Sequence, residues 1–323
     1  MTHILDEMDK RILFELERNA RIPDVKLAKL VGKSKDAVRY RINKLEQEKI
    51  ILNYKTWIDV TKLGYRSSTI VLNLMNLPEK KKKLIESIKR DKRVYWIGVA
   101  EGAWNIGVTY FIKSNEELFK IKNELLSKYH DLIIDCQVAS LVSVSVHEKT
   151  FFAKQDSSLI TFTESKGKEI ELDEISKKIL KELYFNSKEN VATIAGKLNT
   201  TVDIVRNRMK KMEEDGIIIR YTLFIDYKKV GYELYKASVY LKSFDEKEIE
   251  GMMKYAEKSD KIINIVKQIA PWDIEFVVFA KDFQDYNKVI SEFTEKFSSS
   301  IKKVETAIMS EDIIFPCKKL VFE

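Results

Sequence analysis

Apolar residues recur at helical spacing from the start of the chain: Met8, Ile12, Leu13, Leu16 and Ala20 follow Asp6, which is placed to cap a helix. A short second helix is expected from about Asp24 to Val31, and Gly32-Lys33 then makes a turn. Ser34 is placed to cap a third helix, Lys35 to Gln47, with Val38, Ile42 and Leu45 on its apolar face. Ala28, Gly32 and Val38 have the spacing of a helix-turn-helix: a small residue where helices approach, a residue tolerant of a left-handed turn, and a β-branched core plug.

Beyond the third helix the period changes from helical to alternating. Ile50 to Leu52 and Tyr54 to Ile58 are short β-rich runs ending at Gly64. Strands are expected at Ser67 to Leu74, Val94 to Ala100, Ile106 to Ile112 and Ile133 to Val146. Helices are expected at Pro78 to Arg90 and Asn115 to Tyr129. The order β-α-β-β-α-β is that of a ferredoxin-like α+β sandwich.

The whole pattern then repeats. Leu5-Asp6-Glu7 matches Leu172-Asp173-Glu174, Arg41 matches Arg208, Tyr54 matches Tyr221 and Gly64-Tyr65 matches Gly231-Tyr232, all at an offset of 167. Trp104 against Trp272 gives 168, so one inserted residue separates the copies. This period is far longer than the roughly 20 to 50 residues of stacked repeat arrays, so each copy is domain-sized. The second copy places its strands and helices at Lys236 to Lys242, Glu246 to Lys258, Lys261 to Ile269, Ile274 to Ala280, Asp282 to Phe297 and Val304 to Ile314. Its helix-turn-helix triplet is Ala195, Asn199 and Val205, where Asn keeps the left-handed geometry.

The expected architecture is α+β, in two tandem units. Each unit is a winged-type helix-turn-helix followed by a ferredoxin-like domain. The domains run 1–60 and 61–153, then a linker over 154–169, then 170–227 and 228–323. The linker is mostly polar but contains Leu159, Ile160 and Phe162, which would let it pack as an extended strand. A four-stranded sheet covered by helices on one face needs a partner on the other, so the two α+β domains are expected to pack together as an internal pseudo-dimer.

Composition sharpens the functional reading. The 323 residues carry a net charge of +7, which favours a polyanionic partner such as nucleic acid or an anionic surface. No run reaches the roughly 18 apolar residues of a membrane span, and Met1 to Asp9 has no signal-like core, so a cytoplasmic protein without a membrane partner is expected. Cys136 and Cys317 are far apart and are expected as free thiols; His3, His130 and His147 lack metal-ligand spacing. Neither a metal nor another cofactor is expected.

On the third helix, Lys35, Arg39, Tyr40, Arg41 and Lys44, with Ser34 at its start, are the candidate DNA-binding residues: clamps for phosphates and donors to guanine edges. Thr201, Arg206, Arg208 and Lys210 are their candidates in copy two. The charge there is weaker, +2 over Thr193 to Thr222 against +6 over Lys26 to Lys55, and Glu213-Glu214-Asp215 opposes a phosphate backbone. Copy two therefore reads either as a second DNA head or as mainly structural.

These residues resemble the Lrp/AsnC, or feast/famine, transcription regulators. The resemblance rests on Leu5 to Asp9, the Arg41-Ile42-x-x-Leu45-Glu46 helix end, Ile50-Ile51 and Gly64-Tyr65, and it extends over both copies. It implies sequence-specific binding to double-stranded DNA, no enzymatic activity, and α+β domains that form homodimers or higher oligomers and often sense an amino acid. The turn residues Glu101, Gly102 and Asn105, with Asp273, are the candidate effector contacts. The chain departs from the family in its duplication, in Ser176 where copy one has Asp9, and in Lys49 where copy two has Gly216. Two other readings share the pattern. One is an enzyme similar to sirohaem decarboxylases on the same scaffold, against which Val94 to Ile112 has neither histidine nor arginine. The other is an architectural module whose second copy recruits the transcription machinery.

Overall fold

A computed structural model describes residues 5–147, 152, 159–163 and 169–315. His3, Cys317 and most of the expected linker lie outside the described residues. Copy one runs α1 (Glu7–Arg18), α2 (Asp24–Val31), α3 (Lys35–Gln47), β1 (Ile51–Ile58), β2 (Arg66–Leu74), α4 (Pro78–Arg90), β3 (Val94–Gly102), β4 (Ile106–Ile112), α5 (Asn115–Lys128) and β5 (Ile133–His147). A strand from the linker, β6 (Leu159–Thr163), follows. Copy two repeats the order as α6 (Glu174–Phe185), α7 (Val191–Lys197), α8 (Val202–Glu214), β7 (Ile218–Ile225), β8 (Glu233–Leu241), α9 (Glu246–Glu257), β9 (Ile262–Ile269), β10 (Ile274–Ala280), α10 (Phe283–Lys296) and β11 (Ile301–Ile314).

The helix boundaries have local causes. Asp6 accepts the Asp9 amide at 2.8 Å and its own amide meets the Asp9 carboxylate, a reciprocal cap that starts α1. Ser34 and Thr201 cap α3 and α8 by accepting the amides of Ala37 and Ile204. The turns before those helices pass through left-handed backbone at Gly32 (φ 65°) and Asn199 (φ 50°), as the triplet spacing requires. Both recognition helices end in the same conformation, at Gly216 in copy two and at Lys49 (φ 55°) in copy one.

The two ferredoxin-like units form one closed body. All strand pairings are antiparallel, and the order β2-β4-β3-β11-β8-β10-β9-β5 returns to β2 through a β2–β5 ladder. The open faces meet as expected, over a shared core of Val71, Ala100, Trp104, Leu234, Trp272 and Phe279. The sequence pattern did not indicate that the sheet edges also join. β5 pairs with β2 through Ser140 and then with β9, while β11 pairs with β8 through Ile308 and then with β3. Closure satisfies edge amides that two stacked sheets would leave open, and eight strands enclose an interior that side chains can fill. β8 and β11 start earlier than their apolar alternation indicates because their first residues are already paired within copy two, Glu233 with Ala280 and Ile301 with Leu241. β6 adds to the outer edge of β5, so the apolar residues of the linker do form a strand.

The helix-turn-helix heads are exchanged between copies. β1 and β7 pair as a two-stranded ribbon apart from the barrel, with Lys55 opposite Thr222, its own equivalent in the repeat. The first head packs on the second copy's strand: Leu223 and Ile225 join the core of Ile12, Phe14, Val38 and Leu45. The Ala20 amide donates to Tyr221 O and the Thr222 hydroxyl to Glu17 O. The second head reciprocates on β1, where Ser187 N donates to Tyr54 O and the Thr56 hydroxyl to Leu183 O. The segments 1–60 and 170–227 are therefore continuous in sequence, yet each core is completed by the other. Among the described residues, no helix is long and apolar enough to cross a membrane.

Candidate nucleic-acid interface

The exposed face of α3 follows from its buried one. Val38, Ile42 and Leu45 face the core, so residues rotated half a turn away face solvent. These are Asp36, Arg39, Tyr40, Asn43 and Gln47. Tyr40 is 67% exposed and Arg39 is held at its base by Asp24, Nε to Oδ2 at 2.5 Å. The equivalent face of α8 is Asp203, Arg206, Asn207, Lys210 and Glu214. Asn43 and Gln47 escaped the sequence reading because it followed charge; their helical spacing to Arg39 and Tyr40 was the available signal.

Several candidates turn out to be occupied. Arg41 points back to the start of α1, where Nη1 lies 2.7 Å from Asp6 and 3.3 Å from Asp9. The negative field of Asp9 strengthens its positive charge, and the Asp9 amide, with Arg41 assisting, holds the Asp6 carboxyl below its usual range. Arg41, a DNA-binding candidate by sequence, is engaged here at the start of α1 and ties the recognition helix to it. Arg208 is engaged in the same way, 2.8 Å from Asp173. There Ser176 replaces the second carboxylate, and its hydrogen bonds are the main cause of the lowered Asp173 pKa.

The remaining candidates stay at the surface. Lys35 is exposed, and Lys44 is half-exposed beside Glu48. Ser34 and Thr201 act as caps and lie exposed at the N-termini of α3 and α8, the ends whose free amides favour phosphate. Arg206 and Lys210 are exposed beside Asp203 and Glu214 on their own helix. Each recognition helix is also anchored at its far end. Tyr54 donates to Glu46 at 2.5 Å and Tyr221 to Glu213 at 2.6 Å, and burial pushes both phenols well above their usual pKa.

The candidate effector turns are part of the barrel. Asn105 accepts the Leu74 amide and Asp273 the Leu241 amide, each at 2.8 Å, which closes the ends of β2 and β8. Glu101 pairs with Lys81 at 2.8 Å. A Cβ at Gly102 would lie 2.4 Å from Thr306 O, so this glycine (φ 109°) lets β11 pass. Trp104 and Trp272 are buried in the shared core. Cys136 is a half-buried free thiol whose pKa is raised by burial.

Comparison with known proteins assigns the geometry to a family. The AsnC-type helix-turn-helix domain matches residues 5–46, and a winged helix-turn-helix DNA-binding domain matches residues 172–219. The HTH-type transcriptional regulator LrpA of Pyrococcus abyssi is 34% identical over 125 residues, 39% of this chain and 88% of the relative. The chain belongs to the Lrp/AsnC family of helix-turn-helix transcriptional regulators. LrpA of Pyrococcus horikoshii matches equally, at 34% over 125 residues and 88% of its length. Such a Lrp/AsnC relative corresponds to about one of the two copies. Among solved structures, the siroheme decarboxylase NirDL superposes with a TM-score of 0.66 over 95% of this chain and 92% of that one, at 15% identity. That likeness concerns the fold, and it extends to the joined two-unit architecture.

Proposed function

We propose that the chain is a single-chain DNA-binding transcription regulator in which one polypeptide supplies both heads of the DNA-reading assembly. The observation that carries this is the exposed face of α3, with Arg39, Tyr40, Asn43 and Gln47 on a helix whose cap, turn and C-terminal anchor are all built. In the major groove, Arg39 donates to a guanine edge and Asn43 or Gln47 pairs with adenine. Tyr40 stands between them, suited to a thymine methyl or a phosphate. Lys35, Lys44 and the amides at Ser34 hold the phosphate backbone and set the register. Copy two contributes mainly phosphate contacts, through Thr201, Arg206 and Lys210.

The β1/β7 ribbon supports this arrangement. Each head is completed by the other copy's strand, so the two heads cannot separate while the ribbon is paired. A chain that already contains its pseudo-dimer has no need of a second chain to present two heads. A non-enzymatic role is further supported by β3 and β4, which lack histidine and arginine throughout. Amino-acid sensing at Glu101, Gly102, Asn105 and Asp273 is not part of this proposal, since Asn105 and Asp273 hold strand ends, Gly102 makes room for β11 and Glu101 pairs with Lys81.

The test is recovery and footprinting of genomic fragments by the full chain, repeated with Arg39→Ala and Lys35→Ala. Discrete sites are expected. Arg39→Ala should relax preference at one position by about 1 to 3 kcal/mol, whereas Lys35→Ala should weaken all sequences alike and lower the salt slope by about 1. Uniform, sequence-independent recovery by the unaltered chain would refute the reading and favour an architectural role.

A further inference from the structure

The two copies differ in what lies beneath the hinge ribbon. Between β1 and the barrel is a cavity of about 270 Å³, walled by Trp57, Tyr95, Phe111, Val144, Tyr184 and Ile314. Tyr95 and Phe111 present a packed ring pair, with centroids 4.3 Å apart. A smaller recess of about 50 Å³ shares Thr56, Trp57, Tyr95, Tyr184 and Ile314 with it and adds Lys55. The Lys55 ammonium is shut off from solvent and donates no hydrogen bond to a described residue. Its neighbour is the Phe224 ring, with Nζ 3.7 Å from the centroid. Burial lowers its pKa to about 8, and Asp312 partly opposes that shift.

Among the described residues, the only carboxylate on the cavity wall is already engaged: Asp59 Oδ1 accepts the Thr61 amide at 3.0 Å and its hydroxyl at 2.6 Å. The cavity thus offers largely aromatic and aliphatic walls, with Thr56, Ser67 and Asn264 among the polar groups between them, and one enclosed cation at the end. An enclosed charge without a hydrogen-bonding partner costs free energy, and an anion arriving with an apolar body would relieve it. The corresponding cleft beneath β7, about 240 Å³, is also walled largely by apolar side chains, among them Phe224, Leu234 and Met309, and adds Lys228, Glu311 and Asp312 to an aspartate, Asp226, that matches Asp59. There Tyr227 lies against Phe279, with centroids 4.0 Å apart, where copy one has the smaller Val60. The two chambers share an apolar lining, and the copy-two cleft carries carboxylates, Glu311 and Asp312, that the copy-one cavity lacks.

We propose that the copy-one cavity binds a small arylalkyl monocarboxylate, with its ring among Trp57, Tyr95 and Phe111 and its carboxylate on Lys55. The site joins the hinge ribbon, the barrel and, through Tyr184 of α6, the second head. Occupancy couples the second head to the barrel and favours one placement of the heads over others. This last step rests on the DNA-binding reading; the binding site itself does not.

The experiment is titration of the full chain with 3-phenylpropanoate and indole-3-acetate, read by calorimetry and by tryptophan emission. L-phenylalanine and the uncharged 3-phenylpropanol serve as comparators. Saturable 1:1 binding of the two carboxylates is expected, with the alcohol weaker by about tenfold or more, the range of one charge-assisted hydrogen bond. Lys55→Met should abolish that preference, and Lys55→Arg should retain it. The proposal is overturned if neither carboxylate binds, if the alcohol binds as well as the acid, if L-phenylalanine binds better than either carboxylate, or if Lys55→Met leaves the preference intact. Lys55-dependent binding by a chain that recovers no discrete DNA sites would remove the regulatory reading and leave the cavity assignment standing.

Discussion

The two recognition helices have the same caps, turns and anchors, yet they present different surfaces. Both start from a hydroxyl cap, turn through left-handed backbone and end with a tyrosine bound to a glutamate. On the exposed face, however, Tyr40, Asn43 and Gln47 of copy one become Asn207, Lys210 and Glu214 in copy two. The framework that orients a helix has persisted while the groups that would read bases have diverged. Duplication within one chain allows this, because each copy acts only beside the other and need not function symmetrically. The barrel interior has diverged likewise: Lys236 pairs with Glu275 at 2.8 Å under Trp96, where copy one has Thr69 and Gly107.

The largest expected contrast is in DNA binding. Arg39→Ala combined with Asn43→Ala should cost about 1 to 3 kcal/mol for each base no longer read, and Arg206→Ala with Asn207→Ala distinctly less. Equal weakening in a quantitative footprint would abolish the asymmetry. Next is the pseudo-axis, where Lys55 faces Thr222. Lys55 titrates at about 8 in the folded chain and near its ordinary 10.5 when unfolded, so the unfolded state binds more protons between these values. Stability should therefore rise with pH through that window, and the full penalty should be present below it. Lys55→Met should stabilise the chain by about 3 kcal/mol at pH 7, with the gain vanishing above pH 10.5 in denaturant titrations.

A smaller contrast separates the arginine clamps. Arg41→Ala removes the guanidinium beside the buried Asp9 and should cost about 1 to 2 kcal/mol in stability, a figure reduced because Arg41 is itself part-exposed. Arg208→Ala, facing only the half-exposed Asp173, should have little effect on the unfolding midpoint. The smallest effect is at the helix ends: Lys49→Gly should stabilise by about 0.5 kcal/mol by removing a Cβ from left-handed backbone. A destabilised Lys49→Gly variant would show that its side chain contributes more than its backbone costs.

The local structure of both copies was legible in the sequence because it depends on neighbours. The α3, α4 and β4 boundaries coincide with their periodic runs, and Gly32 and Asn199 adopt the conformation that the triplet spacing requires. The interface was only partly legible. Arg39 and Tyr40 are on the exposed face, but Arg41 is one position further round the helix, within reach of Asp6 and Asp9. A charge count over a window cannot separate positions about 100° apart, whereas the apolar stripe of Val38, Ile42 and Leu45 can, and it also points to Asn43 and Gln47.

The sequence by itself determined the duplication, the caps and turns, the element order and the family resemblance, all of which follow from spacing along the chain. Only the tertiary structure decided that the two sheets close into one barrel, that each head is completed by the other copy's strand, and that Lys55 is enclosed beside an apolar cavity. These depend on contacts between residues more than a hundred positions apart, such as Lys55 with Thr222 and Gly102 with Ala307. Alternation shows which face of a strand is buried and leaves open which strand lies beside it, because any edge offers the same amides and carbonyls.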